Sequence, residues 1–166
     1  KLLKKIVILG ASCVFYAYWD WRFLGLLALI TLVDYFISKK MVITESQRQR
    51  RILLAVSLVV SLGVLFTFKY FNFFMDNLNV LFSYLHVNLG AMNILLPVGI
   101  SFYTFESISY IVDVYRGHSR PAESLLDYGL FVSFFPRLVA GPIMRASNFL
   151  PQLKKEIKIT MPNFLR

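Results

Sequence analysis

FFPRLVAGPIMR, residues 134–145, sets two arginines, two prolines and a glycine among residues that are otherwise apolar. An unbroken transmembrane helix would not carry that mixture, because an interior proline removes a backbone N–H and clashes with the preceding turn. A water-exposed loop would have no use for Phe134, Phe135, Leu138, Val139, Ile143 and Met144. Broken backbone survives at membrane depth only where protein or trapped water satisfies its polar groups. The stretch therefore predicts a broken, re-entrant helix walled in by other helices.

The remainder of the chain agrees. Of its 166 residues, 57% are hydrophobic and 16% are charged, and mean hydropathy is +0.62. A soluble domain of this size cannot bury so much apolar side chain, so the sequence points to an integral membrane protein. The net charge of +9 would raise nucleic acid as a partner in a soluble chain. Here the basic residues sit in clusters between apolar runs, the arrangement that orients membrane helices, so the bilayer is the expected partner and nucleic acid is not. The single cysteine, Cys13, excludes an internal disulfide and a cysteine-based metal site. His86 and His118 have no ligand spacing to other donors, and no metal site is expected. There is no glycine-rich phosphate loop, Gly-x-Ser-x-Gly or His-Glu-x-x-His.

Three apolar runs cover 6–19, 23–37 and 52–68. Between the first two, Trp19-Asp20-Trp21-Arg22 reads as a helix-to-helix corner at a bilayer surface, where tryptophan is favoured. Between the second and third lies a basic loop with Lys39, Lys40, Arg48, Arg50 and Arg51. From 69 to 93 aromatics recur at helical spacing among Asn and Asp, which predicts an amphipathic helix lying in the interface. Pro97 is placed to open a helix, since its missing N–H would be unpaired there anyway. That helix runs to about Tyr115 and stops at Gly117. It carries Ser101, Tyr103, Thr104, Glu106, Ser107, Ser109, Tyr110 and Asp113, so it faces other helices or a water-filled cavity. Ser124 or Glu123 begins the run 125–135. The expected class is all-α: one membrane domain over 1–166, a polytopic transmembrane bundle with an interfacial helix and a broken one.

The basic residues also orient the bundle. With a cytoplasmic N-terminus and alternating runs, ten (Lys1, Lys4, Lys5, Lys39, Lys40, Arg48, Arg50, Arg51, Arg116, Arg120) fall on the cytoplasmic side. Only Arg22 and Lys69 fall opposite. A re-entrant 125–145 segment would also return Lys154, Lys155 and Lys158 to the cytoplasm.

Each charged residue has two readings. Arg137 and Arg145 either snorkel to headgroups or present planar forks to an anion or carbonyl beside the backbone N–H groups of the break. Glu106 either bonds neighbouring hydroxyls or Arg137, shaping the bundle, or lines a channel as a proton relay. Asp34 carries the same ambiguity. A transporter or channel subunit with a broken helix along its path stands as an alternative function, and a non-catalytic scaffold as a third.

LLPVGISFYTFESISYIVDVYRG (95–117) followed by LLDYGLFVSFFPRLVAGPIMRASNFLPQL (125–153) closely resembles the membrane-bound O-acyltransferase family. The nearest branch is that of the alginate O-acetylation proteins, with the D-alanyl transfer proteins of teichoic acid synthesis as cousins. FYAYWDWRFLGLLALITLVDYFI (15–37) and FKYFNFF (68–74) fit the same branch. Two positions depart from it: many relatives have Gln where Glu106 and Arg137 stand, so Arg137→Gln is expected to be mild.

The resemblance implies an O-acetyltransferase of the bacterial inner membrane. It would take an acyl group from a cytoplasmic thioester, acetyl-CoA or acyl carrier protein, with no bound cofactor. The acceptor would be hydroxyls of an exported or cell-wall polysaccharide, often reached through a downstream partner protein. The family's catalytic histidine lies downstream of Ala-Gly-Pro-Ile-x-Arg. No catalytic residue is therefore expected in this chain, which reads as an internal fragment, inactive by itself. The candidate wall of the acyl-transfer tunnel comprises Arg145, Arg137, Glu106, Tyr103, Ser101, Gly141 and Pro142, with Arg145 expected to face the interior.

Overall fold

The computed structural model describes residues 2–83, 94–138, 141 and 144–153, and among these every regular element is helical. α1 spans Leu2–Asp20, and a 3₁₀ turn, Trp21–Phe23, leads into α2, Leu24–Ile43. α3 spans Gln47–Ser83, α4 Ile100–Tyr115, α5 Leu125–Ser133, α6 Phe135–Leu138 and α7 Ala146–Gln152. α2 lies at the centre and touches α1, α3, α4 and α5.

Local chemistry sets most of the boundaries. At the corner after α1 the Asp20 carboxylate accepts the Arg22 backbone N–H at 3.0 Å and pairs with the Arg22 guanidinium at 2.7 Å. That hydrogen-bonded guanidinium holds the Asp20 carboxyl below the ordinary aspartate range. Tyr18, Trp19 and Trp21 point outward around this corner. α4 ends in a Schellman motif: Gly117, at φ +75°, donates to the Val114 carbonyl, and His118 donates to the Asp113 carbonyl at 2.9 Å. Ser124 caps α5 by accepting the Asp127 N–H at 3.1 Å.

Two boundaries differ from the sequence reading. Residues 69–83 do not form a separate interfacial helix; they continue α3, which is 37 residues long. No glycine or proline stands between Val64 and Ser83, so nothing interrupts the hydrogen-bond ladder at Lys69. At about 1.5 Å per residue the helix is roughly 55 Å long, far beyond the ~30 Å of a hydrocarbon core. The remainder of the expected interfacial helix, 84–93 with His86, lies outside the described residues. Asn72 receives the returning chain, its amide bonding both the N–H and the carbonyl of Ile94. The second difference is at Pro97, which precedes α4 rather than opening it. The helix starts at Ile100 after Gly99, whose φ of +74° places it in the left-handed region.

The bundle exposes many large apolar side chains and sets a group of polar ones within its apolar core. Val14, Phe15, Phe36, Val59, Phe66 and Phe73 are among its exposed large side chains. Ser12, Asp34, Ser38, Ser57, Thr104, Glu106, Ser107 and Ser133 are buried. Among the described residues one helix, Gln47–Phe82, qualifies as a membrane span by length and apolarity.

Asp34 of α2 is the hub of this polar interior, with no exposed surface. Its two carboxylate oxygens accept Ser57 of α3 and Ser107 of α4. A hydroxyl has one proton to give. Since Ser107 gives its proton to Asp34, the 2.9 Å contact between Ser107 and Tyr128 of α5 is donated by the tyrosine. One carboxylate thus ties four helices. One turn away, Tyr110 donates to Ser38 and accepts the Ala122 N–H, and its ring stacks on Tyr128 at 4.4 Å.

The basic clusters converge at one end of the bundle and close it. Lys5 pairs with Asp127 at the start of α5. Lys39 donates to the Glu123 carbonyl, and Arg50 donates to the Tyr115 carbonyl at 2.8 Å while lying over the Tyr115 ring. The last contact places a cation on the carbonyl end of α4, where the helix dipole favours it. At the other end Phe23 meets Phe68 edge-on and Lys69 reaches Ser101 at the start of α4. The two ends match the division of basic residues read from the sequence.

Candidate functional site

The 134–145 stretch breaks earlier than its Gly-Pro pair. α5 stops at Ser133, and Phe134 takes φ −58°, ψ 103°, before the four-residue α6 begins. Pro136 lies in the first turn of α6, where a missing N–H is harmless. The groups freed by the break find partners in other elements. The Phe135 N–H donates to Ser12 of α1 at 3.3 Å, and the Phe131 carbonyl accepts the Arg137 guanidinium at 3.1 Å. This is the condition under which broken backbone is tolerated away from water.

α6 is then driven against α4. Leu138 is buried, and its carbonyl oxygen sits on Gly99 so closely that a Cβ there would collide with it. Gly141 also touches Arg137: a side chain at 141 would come within 2.9 Å of the Arg137 Cα, Cβ and Cγ. Pro142, the other expected breaker, lies outside the described residues. After Met144 the chain returns. α7 packs back along α5, with Phe149 5.8 Å from Phe131 and 5.5 Å from Phe134. It ends beside the 118–123 loop, where His118, Arg120, Asp127, Ser147 and Leu150 line a cleft of about 290 Å³. The segment thus enters the bundle at its basic end, turns near Gly99 and returns to the basic end as a hairpin.

Glu106 and Arg137 meet inside this hairpin. Arg137 donates to the Glu106 carboxylate at 3.1 Å, and both side chains are about nine-tenths buried. The guanidinium also lies over three rings, nearest Phe149 at 4.5 Å, then Phe134 and Phe131. The Met144 backbone lies near the same carboxylate. Arg137→Gln alone would strand the buried Glu106 carboxylate, which argues against the mild effect expected from the sequence.

The other candidates are dispersed. Tyr103 is fully buried, with its hydroxyl beside that of Tyr16. Ser101 lies at the far end, 3.4 Å from Lys69. Arg145 does not face the interior of this chain: its side chain is exposed, and its carbonyl starts α7 by accepting the Asn148 and Phe149 N–H groups. The extended backbone at Arg145, φ −73° and ψ 140°, turns it outward just before α7. Asp34, Ser107 and Tyr128 form the best-satisfied polar cluster, which the sequence flagged only as a carboxylate within an apolar run.

No family model and no solved structure matches the chain. The probable alginate O-acetylase AlgI of Azotobacter vinelandii is 44% identical over 154 residues, 90% of this chain and 30% of its own length. The protein of the same description from Pseudomonas aeruginosa is 44% identical over 153 residues, 90% of this chain and 29% of its own. The peptidoglycan O-acetyltransferase of Helicobacter pylori is 32% identical over 177 residues, 92% of this chain and 33% of its own. The chain thus spans about a third of the length of the curated relatives it matches. With the 95–117 and 125–153 motifs folded into one hairpin site, these similarities place the chain in the alginate O-acetylase branch of the membrane-bound O-acyltransferase family.

Proposed function

We propose that the whole protein is a multi-pass inner-membrane O-acetyltransferase, of which this chain is one part of a single membrane domain. It moves an acetyl group from a cytoplasmic thioester, acetyl-CoA or acyl carrier protein, to hydroxyls of an exported polysaccharide or an intermediary transfer protein. The observation that carries this reading is the 44% identity extending over both motif-bearing segments. The fold supports it: buried polar groups that join helices under a surface rich in exposed apolar side chains suit a lipid-embedded bundle, and the hairpin suits a re-entrant wall. The basic end is the cytoplasmic one, so the 118–123 cleft and the exposed Arg145 stand where a donor arrives. The catalytic histidine belongs to the family's downstream region, and the wall supplies position and charge.

The test is O-acetyl content of the exported polymer in a host lacking its own O-acetylase, with the whole protein supplied. Acetate bound to the polymer is the expected result, and a polymer free of acetate at normal protein level would overturn the reading. Arg145→Ala is expected to lower acetylation by about 10- to 150-fold, the equivalent of one charge-assisted hydrogen bond of about 1.5–3 kcal/mol. Arg145→Lys should recover only part, since it keeps the charge and loses the planar fork. Near-normal acetylation by Arg145→Ala would mean the side chain only snorkels.

Orientation has its own check. Cysteines placed at Gln47 and Ser119, both at the basic end, are expected to resist a membrane-impermeant maleimide in intact spheroplasts and to react after permeabilisation. Labelling in intact spheroplasts would reverse the bundle.

A further inference from the structure

Glu106 is tied to both limbs of the hairpin through Arg137. The Arg137 guanidinium, on the limb that leaves α5, pairs with the Glu106 carboxylate and rests on the ring of Phe149 in α7, the returning limb. A four-residue α6 is too short to hold an angle by itself. α4, by contrast, is a 16-residue helix packed against α2, α3 and α5, so a carboxylate on it is a fixed point. The Arg137 fork is also preset, by the Phe131 carbonyl and the three rings around it. We propose that Glu106 is the positioning residue of the re-entrant hairpin, clamping Arg137 on one limb, whose guanidinium in turn seats Phe149 of the other, and so fixing where Arg145 emerges.

The clamp acts through geometry and not by touching substrate. Its catalytic consequence rests on the acetyl-transfer reading above; its structural consequence does not. Two glutamines could replace the ion pair, since one amide can donate to the other across the same gap. One glutamine facing the remaining charge could not balance it, because a buried charge without its partner is strongly unfavourable. The pair should therefore behave as a unit.

The experiment uses the whole protein with Cys13→Ala and any other cysteines removed, and Met144→Cys as the reporter at the start of the returning limb. Labelling by a membrane-permeant maleimide is followed in native membranes. E106Q and R137Q are each expected to speed labelling about tenfold or more, and E106Q/R137Q to return it to within about threefold of the parent. Single variants that label like the parent, or a double variant as fast as the singles, would overturn the clamp. Should the singles fail to reach the membrane, a folded double variant still supports the clamp and a misfolded one rejects it. Polymer acetylation is read on the same strains. If labelling follows the expected order while no variant or parent acetylates, the acetyl-transfer reading fails and the clamp stands. If the parent acetylates and labelling is unmoved, the clamp fails alone.

Discussion

Asp34→Ala is expected to destabilise the helical bundle by about 3 kcal/mol. The change removes the acceptor of Ser57 and of Ser107, and through Ser107 it releases Tyr128. In water-soluble proteins a hydrogen bond to a charged group contributes about 1.5–3 kcal/mol. Interhelical hydrogen bonds in bilayers average nearer 0.6 kcal/mol, because loosened groups find other partners. Asp34 has no exposed surface, its two partners come from two other helices and a third is tied through Ser107, so substitutes are few and the larger value governs. Asp34→Asn keeps one acceptor oxygen and should lose about 1 kcal/mol. The measurement is thermal or denaturant unfolding of the purified protein in mild detergent. An Asp34→Ala protein within about 0.5 kcal/mol of the parent would show that the hub is not what joins the helices.

The second large effect is at Gly99. Gly99→Ala places a methyl group against the Leu138 carbonyl oxygen, a backbone atom that cannot rotate aside, at a residue held at φ +74°. The left-handed conformation alone costs a non-glycine residue about 1–2 kcal/mol, and the collision adds to it, giving about 3 kcal/mol or more. Gly117→Ala separates the two causes. Gly117 has nearly the same φ, +75°, and open space where its Cβ would stand, so it should lose only the conformational part. The same unfolding measurement on both variants decides the matter. Equal losses would mean that α6 does not bear on α4 in solution.

Much of this protein was legible one turn at a time. The Trp19–Arg22 corner, the Gly117 stop and the Ser124 cap are where they were read, because each is set by residues within a few positions of one another. The helical class followed from composition; a break in 134–145 was read from its Gly-Pro pair, and the helix stops ahead of that pair, at Phe134. The sharing of one end by Lys5, Lys39 and Arg50 followed from their alternation with apolar runs. What only the tertiary structure decided is which side chains meet. Glu106 and Arg137 are 31 residues apart, and Asp34 and Ser107 are 73 apart. Whether they touch depends on the rotation and depth of whole helices, which periodicity leaves free. The same freedom left open where Arg145 stands, and its exposure in this chain is set by the return of the hairpin. It also hid the continuity of α3, because a lone lysine in a polar-aromatic stretch reads like an interface although nothing in the backbone stops the helix there. Local signals fix the elements and the end of the bundle at which each charge lies; packing alone pairs the charges, because pairing is a property of the distance between elements and not of any one of them.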